Sequence, residues 1–469
     1  MVSRRMVLGA AGAVAGAGAA GAVGYRAWRD REPAAPPAQD AEGHLLWRNW
    51  SGIEHAYPVE RLAPRSEEEL ASLLRTAAAP IRPVGAGHSF TGLATTDGAL
   101  LSLDGMKGLV SHNKPDHRAT IWAGSRLMEI GPALAEIGQE MPNLPDINKQ
   151  SLAGGIATGT HGTGRTFKAL HGQITKFRIA LADGAIRDCD ANHHPELFAA
   201  ARVGLGAFGV LTQVELQNAP LMRVRKRTWV ADLEETMAQW PELQSAHRNI
   251  EFYAVPFTGY AVIIACDPTD QPVSPRGPDE DVDSLMQLKA LRDWLGFAPG
   301  VRRETARMAF KDVPPTEAVD EGWKLLSNER PVRFNEMEYH LPLDAQIPAL
   351  REIVAAIEQH RSDVFFPIEA RTIHADDAWL SPFYGRDCGS VAVHAYYKDD
   401  YQFLFDLIEP IFRRYEGRPH WGKLHSLGAG DFAALYPRWN EAVELRREVD
   451  PEGRLLNTHL RRVFLGESA

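Results

Sequence analysis

Apolar and polar positions along this chain follow two rhythms in turn. In "RSEEELASLLRTAAAP", Leu70, Leu73 and Leu74 fall at helical spacing, with Ser66 and Glu69 placed as a capping box. The segment predicts a helix stopped by Pro80, with a strand over 81–84 directly after it. Further strands are expected at "ALLSL" (99–103) and "RATIWAG" (118–124), and a second helix at "RLMEIGPALAEIG", ending near Gly138. "ITKFRIALADGAIRDC" reads as a hairpin turned at Asp183-Gly184. "HPELFAAARVGLGAFGVLTQVELQ" reads as a short helix, a glycine turn and a strand that puts Val210, Thr212, Val214 and Leu216 on one face. Past Pro220 the strands become longer and more aromatic, as in "RVRKRTWV", "IEFYAVPFTGYAVIIAC" and "VRFNEMEYHLPL". The Pro/Asp-rich stretch 267–284 between them predicts a solvated, mobile loop. This change of character predicts a second domain from about residue 221, and no internal repeat is visible.

Composition narrows the function. A chain of 469 residues exceeds one ordinary core, and its net charge of −10, with no basic stripe among aromatics, argues against a nucleic-acid partner. The three cysteines, Cys189, Cys266 and Cys388, form no close pair, which excludes a disulfide framework and a cysteine zinc site. At the start, "SRRMVLG" places a twin arginine before a mildly apolar Ala/Gly/Val run. Residues 1–30 therefore predict a twin-arginine signal, by a route that exports folded proteins to a periplasmic or extracellular location. If uncleaved, this segment is the one expected membrane contact. A linker over 31–45 follows, of which "REPAAPPAQDA" predicts a disordered spacer.

Three glycine-rich segments carry the candidate chemistry. "GLGAFG" matches G-x-G-x-x-G, but a helix precedes it and a strand follows, the reverse of a dinucleotide fingerprint. It reads as a tight turn that lets backbone approach something flat. "IRPVGAGHSFTG" (81–92) and "SLAGGIATGTHGTG" (151–164) lack the Gly-Lys-Ser/Thr of a P-loop. Their successive small residues expose N–H groups that can bind a diphosphate, although glycine also marks ordinary turns.

With "RPVGAGHSF", "SLAGGIATGTHGTG", "LGAFGVLTQVEL", "FNEMEY", "IEARTIHADDAWLSPFYGRD", "HWGKLH" and "DPEGRLLNTHL", the chain resembles the vanillyl-alcohol oxidase superfamily of flavoproteins. Within it the chain is similar to the sugar-1,4-lactone and alditol oxidases, from about residue 46 to 465. The resemblance implies an α+β fold: a two-subdomain FAD-binding domain of that type with an inserted α+β substrate (cap) domain. Its boundaries would be 46–220 for the first part of the FAD domain, 221–420 for the cap, and 421–469 for the return to the FAD domain.

The resemblance also implies FAD, joined covalently through His88. That attachment needs a neutral imidazole, which suits a residue titrating near neutrality. Gly85, Ala86, Gly87 and Ser89 would hold the diphosphate. Ser151, Gly154, Gly155, Thr158, Gly159, His161, Gly162 and Gly164 would line the other side, with Gly209, Val210, Pro145 and Asp146 near the ring. Oxidising a carbinol requires loss of the hydroxyl proton, hydride transfer to the flavin, and positive charge beside the reduced ring. Glu369 and Arg371, in E-x-R, share one face of a strand, and Lys423 of "HWGKLH" adds a cation. The family pattern implies that Arg371 and Lys423 activate the hydroxyl, while Glu369, His394 and Asp146 contact substrate; an ordinary surface Glu–Arg pair is the bland alternative. His420 and His425 lack a third ligand, so no metal is expected.

Two departures bear on substrate and acceptor. Pro145 and Asp146, in "NLPDINKQS", stand where the family has a small residue followed by serine. The absence of a long side chain at 145 is compatible with oxygen reaching the ring, and Asp146 alters hydrogen bonding near substrate. The expectation is a monomeric oxidase taking a small polyhydroxylated alcohol and dioxygen and releasing hydrogen peroxide. Its rivals are a dehydrogenase with a quinone or cytochrome acceptor, and a non-catalytic flavin- or sugar-binding protein.

Overall fold

The computed structural model describes residues 30–277, 281–328 and 331–467; the twin-arginine signal lies outside the described residues. Among those described, no helix is long and apolar enough to cross a membrane.

The glycine-rich half is built on two sheets. A parallel three-stranded sheet runs in the order Glu60–Leu62, Ala99–Ser102, Ile81–Val84. An antiparallel five-stranded sheet runs Ile186–Asp190, Ile174–Ala180, Val210–Gln217, Arg118–Trp122, Leu109–Asn113. The helix Glu67–Thr76 is capped by Ser66, whose hydroxyl accepts from the Glu69 N–H. Beyond Pro220 an eight-stranded antiparallel sheet forms, its middle made by Asn249–Val255, Ile368–Ile373, Cys388–Tyr396 and Phe334–Pro342. The helix Gln346–His360 packs on it through Ala349, Leu350, Ile353 and Ile357.

These middle strands are buried on both faces, but the two faces differ in kind. Alternation along "EMEYHL" sends Met337, Tyr339 and Leu341 one way and Glu336, Glu338 and His340 the other. Register extends the polar face across the sheet: Glu336 pairs with His394, Glu338 with Ala392, and Ala392 in turn with Glu369. Tyr253 lies beside Glu369 on the next strand. A buried strand face made of charged groups is costly unless those groups answer one another or a ligand.

The last fifty residues pack against the glycine-rich half. Asn457 caps the helix Thr458–Leu465 and donates from its Nδ2 to the carbonyls of Gly92 and Thr95, both at 2.7 Å. The buried Arg82 donates to the carbonyls of Leu93, Leu205 and Leu455 and so joins three segments distant in sequence.

Three local expectations are corrected. The spacer "REPAAPPAQDA" is not disordered: Glu32 accepts from the Tyr397 hydroxyl at 2.6 Å and pairs with Lys398 at 2.9 Å, while Asp30 pairs with Lys289 at 2.7 Å. Its few apolar residues predicted disorder, but its acidic groups meet basic ones on the larger sheet's side. The stretch 267–284 is shorter as a loop than predicted and is pinned at Ser274, which exchanges backbone hydrogen bonds with Val319; helix begins at Asp281. The segment 151–164 opens with a short helix, Leu152–Ala157, capped by Ser151.

Candidate active site

The glycine segments converge. Residues of 82–89, of 150–158 and of 204–211 line one cavity of about 1290 Å³, open mouth included. Of the predicted cofactor residues, Gly85, Ala86, Gly87, His88, Ser89, Ser151, Gly154, Thr158, Gly209 and Val210 are in its wall. Lys423 and His420 are at the same cavity. The bareness of the wall has a steric cause. A Cβ on Gly85 would stand 2.0 Å from the Ser151 hydroxyl oxygen, and one on Gly209 would stand 2.6 Å from the Ala180 carbonyl oxygen. Gly209 also has φ +143°, which side chains rarely adopt. A cavity with bare glycine backbone and small hydroxyl residues in its wall, beside apolar side chains such as Leu101, Ile179 and Phe208, fits a dinucleotide carrying a flat ring.

His88 is half-buried in this wall and stacks on Trp50 with ring centroids 5.1 Å apart. Burial, reinforced by the nearby charge of Lys423, pushes its pKa down to about 4. The ring is therefore neutral at physiological pH.

Seven predicted residues lie elsewhere. Gly155 packs near Leu170, Gly159 near Pro382 and Gly162 near Asn143 and Leu144, while His161 and Gly164 reach the eight-stranded sheet. There Gly164 bridges Ile373, and His161 Nε2 lies 3.1 Å from Glu338 Oε1. Pro145 and Asp146 lie against Ser327 and Asn328. Ser327 donates to the Pro145 carbonyl at 2.7 Å and Asn328 Nδ2 to Asp146 Oδ1 at 2.5 Å.

The predicted catalytic side chains sit on the buried polar face of the sheet. Arg371 Nη2 donates to Glu338 Oε1 at 2.7 Å, and its Nε lies 3.3 Å from Glu369 Oε1. Glu369 also accepts from the Tyr253 hydroxyl at 2.9 Å. Lys423 pairs with Glu336, and Glu336 lies 3.7 Å from His394 Nε2, whose Nδ1 donates to the Pro367 carbonyl. Glu336 and Glu338 thus belong to the constellation although the sequence reading named neither as a site residue. Their signal was present in the alternation of "EMEYHL" within an otherwise apolar strand.

The electrostatics divide the carboxylates. Burial, opposed by Arg371 but reinforced by Glu251, Asp146 and Glu338, lifts Glu369 to about 8. Burial would raise Glu338 too, yet Arg371 and His161 hold it well below the usual carboxylate range. Burial lowers His394 below the ordinary histidine value. The arrangement offers two cations, a neutral acid and a neutral imidazole on one face, a set able to orient a hydroxylated molecule and stabilise negative charge.

Comparison with known proteins agrees with the geometry. An FAD-binding-domain model matches residues 60–190, and the D-arabinono-1,4-lactone oxidase model matches residues 214–463. L-gulono-1,4-lactone dehydrogenase of Mycobacterium tuberculosis is 32% identical over 89% of this chain and 99% of its own. L-gulonolactone oxidase of Mus musculus is 28% identical over 90% and 98%, and alditol oxidase of a Streptomyces species 27% over 89% and 99%. Cholesterol oxidase from Brevibacterium sterolicum superposes with a TM-score of 0.72 at 16% identity, covering 92% of this chain and 100% of its own, which establishes the shared fold. The chain belongs to the D-arabinono-1,4-lactone oxidase family, FAD-dependent oxidoreductases that act on CH–OH groups of sugar lactones and alditols.

Proposed function

We propose that this enzyme oxidises a sugar-1,4-lactone, such as an arabinono- or gulono-lactone, or a related alditol, passes the electrons to dioxygen to give hydrogen peroxide, and holds its FAD covalently through His88. One observation carries this reading. The cavity formed by the glycine segments reaches Lys423, whose partner Glu336 shares a sheet face with Glu369, Arg371 and His394.

The wall residues Gly85–Ser89, Ser151, Gly154, Thr158, Gly209 and Val210 would hold FAD. The chemistry that the bound flavin supplies is acceptance of a hydride and delivery of the electron pair to an acceptor. The remaining work falls to side chains. Arg371 and Lys423 supply positive charge where negative charge develops, and orient the reacting hydroxyl between them. Glu369, His394 and Asp146 engage the other oxygens of the substrate. His88, neutral and held against Trp50, has an imidazole nitrogen able to bond to an electrophilic carbon. The reading extends to an exported location, on the twin arginine Arg4-Arg5 ahead of an apolar run.

A second reading is favoured by a specific relative: the mycobacterial protein that matches along nearly its whole length is named a dehydrogenase. The two differ in the fate of the electrons. Holoenzyme reduced anaerobically by substrate is mixed with air-saturated buffer. Rapid return of the yellow colour with stoichiometric peroxide supports the oxidase; slow return, accelerated by a quinone or cytochrome, overturns it. For the attachment, acid-precipitated protein should stay yellow, and His88→Ala protein should release its flavin into the supernatant. Release of flavin from the unmodified protein would disprove the covalent link.

A further inference from the structure

Arg371 lies between two buried carboxyl groups and treats them unequally. It donates to Glu338 Oε1 at 2.7 Å, whereas its Nε, 3.3 Å from Glu369, is buried without a hydrogen bond. Glu338 Oε1 accepts in addition from the Ser390 hydroxyl at 2.5 Å and lies 3.1 Å from His161. Glu338 is 0% exposed, is not in the cavity wall, and meets the predicted catalytic residues through Arg371, with His161 and His420 also beside it. Resting on the catalytic reading above, we propose that Glu338 is a positioning residue: by taking up the charge of Arg371 it leaves Glu369 protonated, as a hydrogen-bond donor to substrate.

The groups around Glu369 make this balance explicit. Its own strand supplies Arg371, and the neighbouring strand supplies Glu251 and Tyr253. The loop before the helix Leu152–Ala157 supplies Asp146. The strands across the sheet bring Glu338, Glu336 and His394, the last two each placing a side-chain polar atom within 4.8 Å of a Glu369 oxygen. Lys423 is paired with Glu336, and Arg371 is hydrogen-bonded to Glu338. Carboxylates thus outnumber cations on this face, and the group facing Arg371 only through an unbonded Nε keeps its proton. Tyr253 donates to Glu369 Oε1, which leaves the proton on the other oxygen to point toward substrate. Two carboxyls driven apart in this way take different roles.

The test uses the holoenzyme and does not depend on turnover. Infrared pH titration follows the carbonyl band of a buried protonated carboxyl, assigned by its loss in Glu369→Gln. The unmodified enzyme should show this band at pH 7 and lose it near pH 8. In Glu338→Gln, Arg371 is released to Glu369 and the band should titrate about 1–3 pH units lower, the effect of an arginine beside a carboxylate. Glu338→Asp keeps the charge one methylene farther away and should fall between the two. Flavin content and thermal melting establish that each variant is folded, and should Glu338→Gln fail to fold, the Asp variant decides alone. No Glu369 band at pH 7, or no downward movement in any folded variant, overturns the proposal. If the band moves as described but no lactone or alditol reduces the flavin, the role of Glu338 stands and the catalytic reading fails.

Discussion

Gly85 has no room for a methyl group: the Ser151 hydroxyl oxygen would lie 2.0 Å from it and the Ser151 Cβ 3.0 Å. Gly85→Ala should therefore force the two walls of the cavity apart and lower flavin occupancy, read from the ratio of flavin to protein absorbance. Adding Ser151→Ala removes the closest atom and should recover part of the lost flavin; equal occupancy in all three proteins would show that the wall is not a flavin cradle. Residues of this kind were legible in the sequence, because glycine in a strand-to-loop turn announces a close backbone approach. Glu369, Arg371 and Lys423 were legible through motif resemblance. Glu336 and Glu338 were missed because a carboxylate reads as a solvent-facing residue until its strand is known to be buried on both sides. Asp146 shows a different limit: its Asn328 partner is 182 positions away along the chain.

At the scale of elements, periodicity located the helix Glu67–Thr76, the hairpin of Ile174–Ala180 with Ile186–Asp190, and the strand Val210–Gln217. It missed the short helix Leu152–Ala157, where Gly and Ala hide the pattern, and misjudged the acidic spacer, which is ordered by ion pairs rather than apolar burial. The motif resemblance, rather than hydrophobic periodicity, implied the return to the glycine-rich half of the C-terminal segment that holds the helix Thr458–Leu465. Asn457 carries that junction: its Oδ1 accepts from the Leu460 N–H at 2.9 Å and its Nδ2 reaches two carbonyls of another segment. Asn457→Ala should cost about 2–4 kcal/mol, combining loss of a helix cap with buried acceptors left unpaired. Urea unfolding of the holoprotein measures it, and a midpoint unchanged from the parent would refute this role.

For the molecule as a whole, burial of histidine gives a pH signature. Burial depresses His161, His340, His420 and His425, the last three well below the ordinary value, and pushes His459 down to about 3. In the unfolded chain each takes up a proton near pH 6.5, whereas in the folded state each stays neutral to lower pH. The unfolded state then binds more protons below about 6.5, so stability is full above that pH and falls as the pH drops. Each such group contributes up to about 1.4 kcal/mol per pH unit across its window. Melting temperatures of the holoenzyme should decline from about pH 6.5 downward, while Glu369, raised to about 8, acts in the opposite sense and lowers them as the pH rises from 7 through 8. A level profile to pH 5 would mean that these rings are protonated in the folded protein.

On the proposed function, the polar face of the large sheet presents a hydroxylated sugar derivative to the flavin cavity, where the bound flavin would oxidise it. The most direct test is anaerobic mixing of the holoenzyme with a panel of sugar-1,4-lactones and alditols while flavin absorbance is followed. At least one of them should bleach the flavin rapidly and saturably, and should do so slower by about 10²-fold or more in Arg371→Met. Absence of bleaching by every lactone and alditol, in protein carrying its full complement of flavin, would contradict the proposed function.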